Sequence, residues 1–271
     1  MPELPEVETT CRGIAPHIIG REVVRVIVRN PQLRWPVSKR LGREICGRTI
    51  HAVTRRGKYL LLKTDAGSAI LHLGMSGSLR IVRPALPPGK HDHVDIVLAD
   101  NRALRLTDPR RFGTLLWTRQ VPEHHKLLRD LGPEPLGEIF SGDYLYGRSR
   151  GRKVAIKQFI MNSHIVAGVG NIYACESLFL AGIHPQRAAG RISRKRHARL
   201  AQAIREVLQH SIARGGTTLR DFVNGHGEPG YFKLHLHAYA RAGEPCTRCR
   251  TPIREIRQGQ RSTCYCPVCQ R

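Results

Sequence analysis

The sequence has no apolar run that approaches the roughly 18 residues of a membrane-spanning helix. Its N-terminal segment is acidic and contains no apolar stretch of the kind found in secretory signal peptides. It also has no internal repeat and no low-complexity tract, which argues against repeat and disordered architectures. These absences predict a folded protein that spans no membrane and works in the cytoplasm or with the nucleoid.

Acidic residues are scarce: 21 Asp and Glu stand against 45 Lys and Arg, so the formal net charge is +24 and the isoelectric point is near 10.7. The cations are spread along the chain between apolar segments, which favours a folded binding face over a disordered basic tail. We therefore expect a polyanionic partner, and nucleic acid fits best. A ribosomal or membrane-surface protein could have a similar composition.

The 271 residues are 41% hydrophobic, which is enough to bury a core, and two domains are expected. Short aliphatic and β-branched segments predict strands of a sandwich or barrel at 23–28, 59–62, 69–73, 94–98 and 103–106. Residues 132–137 have the composition of a linker. Helical periodicity follows at 153–162, 172–181 and 194–213.

Five of the eight cysteines crowd the C-terminal end, and four of them form two CxxC pairs, Cys246 with Cys249 and Cys266 with Cys269. This pattern is typical of a zinc ribbon, in which four thiolates bind one structural Zn²⁺. A disulfide or redox CxxC is the alternative, but a cytosolic chain without a surrounding βαβ pattern disfavours it. Cys264 would break the second CxxC spacing, so we expect it to face away from the metal.

The first six residues, MPELPE, suggest a nucleophile. Removal of Met1 would leave the secondary amine of Pro2 as the N-terminus, and an α-amino group is far less protonated at neutral pH than lysine. Such an amine can attack an aldehyde-level carbon, and Glu3 and Glu6 are close enough in sequence to move the protons. The alternative is an ordinary helix start, since Pro5 and Glu6 also suit the first helical turn.

A glycine turn at 168–171 separates the first two predicted helices. Exposed amides at a helix N-terminus bind phosphate well, and Asn171 could cap the following helix. An ordinary helix connection is the alternative, although Lys157 and the net charge favour DNA binding.

Seven motifs occur in order along the chain: MPELPEVET at 1–9, RGKY at 56–59, HLGMSG at 72–77, DPRRFG at 108–113, GVGNIYA at 168–174, GGTT at 215–218, and the zinc ribbon. With them the chain resembles bacterial formamidopyrimidine-DNA glycosylases over essentially its whole length. The resemblance implies an α+β fold with an N-terminal β-sandwich flanked by helices, a helix–two-turn–helix domain and a zinc-ribbon β-hairpin.

The implied domains are a catalytic sandwich at 1–131, a linker with the first helix of the C-terminal half at 132–150, a helix–two-turn–helix domain at 151–238 and a zinc finger at 239–271. The resemblance also implies a lesion-recognition loop at 215–232. Within that loop Arg220 stands where lysine is expected in some relatives, and Thr217 and Thr218 are weaker candidates for contacting a flipped base.

The resemblance assigns catalytic roles to four residues. Pro2 would be the Schiff-base nucleophile at C1′ of the damaged nucleotide, Glu3 the acid/base near the sugar, and Glu6 a support for proton movement. Lys58 would hold a phosphate and polarise the lesion; without the motif it could be an ordinary lysine at a strand edge.

The resemblance assigns the DNA contacts to two groups. His72, Asn171 and Arg261 match positions that grip phosphates, and Lys157 is included with them. A flipped-out base leaves a void, which the second group would fill: Phe112 as a wedge, Met75 in the space, and Arg110 donating to the orphaned cytosine. Read alone, Met75 and Phe112 could be core residues, Arg110 a partner of Asp108, and His72 a packed strand histidine.

The implied activity is that of a monomeric, bifunctional DNA repair enzyme. It would excise oxidised purines such as 8-oxoguanine and formamidopyrimidines opposite cytosine in double-stranded DNA, and cleave the abasic strand by β,δ-elimination. Two alternatives stay open: an endonuclease VIII-type glycosylase for oxidised pyrimidines, and a non-catalytic zinc-dependent protein that binds damaged DNA.

Overall fold

The computed structural model describes residues 2–215 and 236–271. These residues fall into two compact units, the first ending at Asp130 and the second formed by Leu131–Arg214 together with the described residues after 235. Among the described residues, no helix combines the length and apolarity needed to cross a bilayer.

The first unit contains two four-stranded antiparallel sheets. Strand order is β1-β6-β7-β5 in one sheet and β2-β3-β4-β8 in the other. The strands are β1 Val23–Val28, β2 Ala52–Arg56, β3 Tyr59–Thr64, β4 Gly67–His72, β5 Ser78–Val82, β6 Asp92–Leu98, β7 Ala103–Thr107 and β8 Thr114–Thr118. Helices α1 (Leu4–Ile18) and α2 (Lys39–Ile45) flank them.

One continuous core joins the two sheets. Alternate residues such as Leu60 and Leu62 of β3 belong to the same buried cluster as Ile96 of β6 and Leu104 of β7. Successive side chains of a strand point to opposite faces, so Leu60 and Leu62 share the face on this core, while Leu61 is buried on the other face of the strand. Helix α1 adds Ile14 to this cluster, so the expected N-terminal β-sandwich with flanking helices is confirmed.

The second unit is helical and ends in a two-stranded hairpin. Its elements are α3 Gly142–Ser149, α4 Ile156–Met161, α5 Asn171–Ala181, α6 Arg194–Ala213, β9 Arg254–Gln258 and β10 Arg261–Tyr265. Helix α5 is buried around most of its circumference, as its apolar composition requires, and it packs against α4, α6 and β10. Gly182 adopts a left-handed conformation (φ 68°) directly after α5, where glycine ends a helix without a Cβ clash.

The predicted elements differ from the structure mainly at three short strands and at one helix start. Strands β2, β5 and β8 were not predicted: β2 reads AVTRR and is half-buried throughout, so it carries no clear period-two pattern. The helix predicted at 153–162 begins only at Ile156, because Ala155 is held in an antiparallel bridge to Ala188.

Candidate active site and nucleic-acid interface

The start of α1 forms a closed capping box. Glu3 is the N-cap, its side chain accepts from the backbone of Glu6, and the Glu3 amide donates to Glu6 Oε2 at 2.8 Å. Pro2, Glu3 and Glu6 are all buried. The segment can therefore be both a capped helix start and a catalytic site, since the box fixes the carboxylates of Glu3 and Glu6 at the helix end that directly follows Pro2.

Lys58 lies in the turn between β2 and β3, and an ion pair ties this turn to α1. Arg55 Nε donates to Glu8 Oε2 at 2.9 Å, and Arg55 Nη1 donates to the carbonyl of Gly57 at 2.9 Å. Burial alone would raise the pKa of Glu8, but the hydrogen bonds and charges of Arg55 and Arg12 outweigh it and hold that pKa below its usual value. Because this pair is partly buried, it holds the Lys58 turn against the N-terminal helix.

His72 ends β4 opposite Tyr59, with the ring centroids 4.8 Å apart. Its Nδ1 accepts from the amide of Gly74 at 2.9 Å, which leaves the proton of the neutral ring on Nε2. Burial, and then the charges of Lys58 and Arg34, lower the pKa of His72 to about 4. At neutral pH His72 is therefore an uncharged hydrogen-bond donor.

Met75, Arg110 and Phe112 are exposed on two loops of the first unit. Met75 and Phe112 are 38% and 43% exposed, which excludes the interpretation that they are core residues. They line an open cavity of about 330 Å³ together with His72, Gly74 and Arg34. The Arg110 guanidinium stacks over the Phe112 ring, 4.8 Å from its centroid.

Arg34 lines this cavity but was not predicted as a site residue. Its amide donates to the carbonyl of Gly113 at 3.1 Å, and its charge contributes to the lowered pKa of His72. No motif surrounds Arg34 in the sequence, so only the folded structure brings it to the site.

The second unit joins helices α4 and α5 to the hairpin through one carbonyl group. The carbonyl of Ser262 accepts from Asn171 Nδ2 at 3.0 Å and from Lys157 Nζ at 3.1 Å. Lys157 also donates to Thr263 Oγ1 at 2.6 Å and is only 1% exposed. Its described contacts thus hold the hairpin, and a direct contact of Lys157 with DNA stays a prediction.

Asn171 is not the cap of α5, contrary to expectation. Gly170 is the N-cap in an extended conformation, and Asn171 is the first helical residue, with its side chain directed to the hairpin. The glycine turn therefore allows the helix to start, while the asparagine connects it to β10.

Arg261 lies at the turn end of the hairpin, away from the four cysteines in sequence. It opens β10 opposite Gln258, across a two-residue turn formed by Gly259 and Gln260. Both turn residues have positive φ, 55° and 61°, which is the type I′ geometry of tight hairpins. The Arg261 side chain is exposed, so it is free to meet an anion outside the protein.

The four cysteines of the two CxxC pairs converge. The sulfur atoms of these four cysteines all lie within 4.8 Å of one another. Cys249 Sγ is 3.4 Å from Cys266 Sγ, and Cys246 Sγ is 3.9 Å from Cys269 Sγ. Tetrahedral zinc with Zn–S bonds of about 2.3 Å places sulfurs about 3.8 Å apart, so the set fits one structural Zn²⁺.

Backbone amides support this metal-binding geometry. The amide of Arg248 donates to Cys246 Sγ and that of Cys269 to Cys266 Sγ, each at 3.4 Å, which stabilises thiolate ligands. Cys264 stands outside the four-sulfur group and contacts Glu255 Oε2 at 3.7 Å, as expected for a strand residue that faces away.

The expected lesion-recognition loop, with Arg220, Thr217 and Thr218, lies outside the described residues apart from Gly215. Its assignment stays a prediction.

Three family models match the chain. The formamidopyrimidine-DNA glycosylase N-terminal domain matches residues 1–115, the H2TH domain of the same enzymes matches residues 131–223, and the zinc finger found in FPG and IleRS matches residues 243–271. These matches follow the two units and the hairpin described above.

A relative from Methylococcus capsulatus named formamidopyrimidine-DNA glycosylase is 61% identical over 271 residues, with the whole of both chains covered. The chain is also similar to Lactococcus lactis Fpg in complex with DNA that contains an abasic site, at 35% identity, full coverage of both chains and a TM-score of 0.91. The Lactococcus lactis protein with N7-benzyl-Fapy-dG DNA gives the same TM-score, identity and coverage. The chain therefore belongs to the formamidopyrimidine-DNA glycosylase family.

Proposed function

We propose that this chain is a bifunctional DNA glycosylase and AP lyase that removes oxidised purines opposite cytosine from double-stranded DNA. The observation that carries the proposal is the buried Pro2-Glu3-Glu6 start, joined through Glu8 and Arg55 to the turn that bears Lys58. It provides an amine, two carboxylates and an ammonium group on adjoining elements of one unit. Membership of the family supplies the reaction class.

The first chemical step is attack of the Pro2 amine, freed by removal of Met1, on C1′ of the flipped nucleotide. The bond from C1′ to the base breaks, the Pro2 nitrogen gives up the proton it carried, and the nitrogen of the departing base takes one up. Opening of the sugar ring then moves electrons to O4′, which Glu3 protonates, and leaves an iminium between Pro2 and C1′. Glu6 assists by accepting the hydrogen bond of the Glu3 amide and by exchanging protons with the Glu3 carboxyl group.

Strand cleavage follows from the positive charge of that iminium. The charge acidifies the C2′ protons, so loss of one of them expels the 3′ phosphate, and a second elimination expels the 5′ phosphate. In this scheme Lys58 and His72 bind the phosphates next to the damaged nucleotide. His72 acts there as a neutral Nε2–H donor, since the Gly74 amide occupies its Nδ1.

The Arg110, Met75 and Phe112 group takes the place of the flipped base. Exposed apolar side chains can enter a base stack, and a guanidinium can donate two hydrogen bonds to the acceptor edge of cytosine. Adenine presents a donor at the position that faces the arginine. The group therefore favours lesions opposite cytosine and spares those opposite adenine, where excision would make a mutation permanent.

In the second unit, Asn171 and Arg261 would hold phosphates near the hairpin, and zinc would keep the hairpin folded. Bound zinc supplies no chemistry to the reaction in this role; it crosslinks the two knuckles, because its binding energy is also folding energy for so small an element. The protein is proposed to act as a monomer associated with the nucleoid, as its net charge of +24 favours.

The test uses matched duplexes that carry either 8-oxoguanine or an oxidised pyrimidine opposite the same partner base. Release of the base together with strand cleavage is expected on 8-oxoguanine, and much less on the pyrimidine. A pyrimidine preference would identify an endonuclease VIII-type enzyme, and binding without cleavage would identify a non-catalytic damage reader. The names of the relatives disfavour both alternatives.

A further inference from the structure

The two loops that carry the void-filling residues pack backbone against backbone. A Cβ placed on Gly74 would lie 2.4 Å from the carbonyl carbon of Phe112, and one on Gly113 would lie 2.9 Å from the carbonyl oxygen of His72. Glycine is therefore required at both positions. Met75, which follows Gly74, is held close to the loop that carries Phe112, although the two lie far apart in sequence.

One buried carboxylate connects these loops. Asp108 is fully buried; its Oδ1 accepts from Ser76 Oγ at 3.0 Å, and its Oδ2 accepts from the amide of Gly113 at 2.7 Å. Ser76 Oγ in turn accepts from the amide of Arg110 at 3.3 Å. Asp108 and Ser76 thus bracket the Arg110–Phe112 segment at both ends and tie it to the residue next to Met75.

The backbone between Arg110 and Phe112 is strained. Arg111 has φ 56°, in the left-handed region that a side chain disfavours, and its amide donates to the Asp108 carbonyl at 3.2 Å. Such a conformation persists only where the surroundings over-determine it, and such strain concentrates at functional sites. Here the surroundings are the Asp108 hydrogen bonds, and the segment they hold has the Arg110 guanidinium stacked on Phe112.

We propose that Ser76 and Asp108 are positioning residues that set the preference for the base opposite the lesion, by holding the two void-filling loops in one arrangement. This inference rests on the proposed function. Neither residue needs to touch DNA: Asp108 is fully buried and Ser76 nearly so. Reading a base edge depends on the direction of the guanidinium, whereas chemistry at C1′ depends on Pro2 and Glu3. We call the hydrogen bonds of Ser76 and Asp108 between the two loops the clamp. Loss of the clamp should therefore reduce the preference for cytosine over adenine more than it reduces the rate of excision opposite cytosine.

The experiment compares Ser76→Ala with the unchanged protein by single-turnover excision of 8-oxoguanine opposite cytosine and opposite adenine. The readout is the ratio of the two rates, in which the folded fraction of each preparation cancels. A charge-assisted hydrogen bond is lost, so we expect the ratio to fall by roughly tenfold. Ser76→Thr keeps the hydroxyl and should retain most of the ratio.

Ser68→Ala is the matched control, because it removes the hydroxyl of another buried serine at the opposite end of β4 from His72. Its ratio should equal that of the unchanged protein. Asp108→Asn should lower the ratio as Ser76→Ala does, and the double variant should be no worse than the more severe single one, since both break the same clamp.

An unchanged ratio in Ser76→Ala and Asp108→Asn would overturn the clamp while leaving the proposed function intact. Equal falls in Ser76→Ala and Ser68→Ala would also overturn it, by showing a general response to lost core hydroxyls. Failure of the unchanged protein to excise 8-oxoguanine opposite cytosine would instead contradict the proposed function itself.

Discussion

Arg110→Ala tests how the void-filling group reads the partner base. Stacking of a guanidinium on an exposed ring is worth about 0.5–1 kcal/mol. A good pair of hydrogen bonds to a base edge is worth roughly 1–3 kcal/mol. The Arg110–Phe112 stack can therefore hold the side chain ready without preventing it from reaching the cytosine.

These magnitudes predict the size of the effect. Arg110→Ala should reduce the preference for cytosine over adenine by about ten- to a hundredfold. Phe112→Ala should slow excision opposite every base, because it removes the wedge. Since it also removes the stack beneath Arg110, it should lower the preference too, but only by about two- to fivefold.

The assay is single-turnover excision of 8-oxoguanine from duplexes that differ only in the opposite base, measured for the unchanged protein and both variants. The reasoning would be refuted if the unchanged protein treated cytosine and adenine alike and Arg110→Ala matched it. A larger loss of preference in Phe112→Ala than in Arg110→Ala would show instead that the ring, not the guanidinium, reads the base.

Three further predictions concern zinc, phosphate contact and pH. Cys266→Ser should release zinc, measured by metal analysis, and weaken DNA binding through unfolding of the hairpin; active protein without zinc would contradict this. Arg261→Ala should keep zinc but weaken affinity for all DNA sequences and reduce the slope of log K against log salt by about one unit; an unchanged slope would remove Arg261 from the phosphate contacts. Burial lowers the pKa of both His72 and His197 to about 4, so the unfolded chain takes up protons that the folded one does not between about pH 6.5 and 4. The stability from these two neutral histidines is present above pH 6.5 and is lost as pH falls toward 4, and His72→Gln should flatten part of that decline in denaturant titrations.

The zinc ribbon and the main strands could be predicted from the sequence because local patterns determine them. The CxxC spacing fixes four ligands almost independently of the rest of the chain, and strands such as β3 and β6 carry apolar residues on both faces. Strand β2 escaped prediction because its arginine-rich sequence becomes a strand only through pairing with β3.

The site was predicted less completely where tertiary contacts decide a residue's role. Lys157 has the sequence character of an exposed cation, yet it is buried because the hairpin carbonyl of Ser262 and the hydroxyl of Thr263 provide its partners. Arg34 gave no local signal, and the uncharged state of His72 depends on burial beside Lys58 and Arg34. The motifs supplied the void-filling residues, but the clamp of Ser76 and Asp108 is visible only in the folded loops.

The identity of the nucleophile is the central claim, and borohydride trapping tests it most directly. The protein is incubated with a lesion-bearing duplex and borohydride, and the adduct is located by mass spectrometry of the intact chain and of its peptides. We expect Met1 to be absent and the adduct to lie on the N-terminal peptide at Pro2. Trapping should be lost in a form that retains Met1, whereas an adduct on Lys58 would contradict the account.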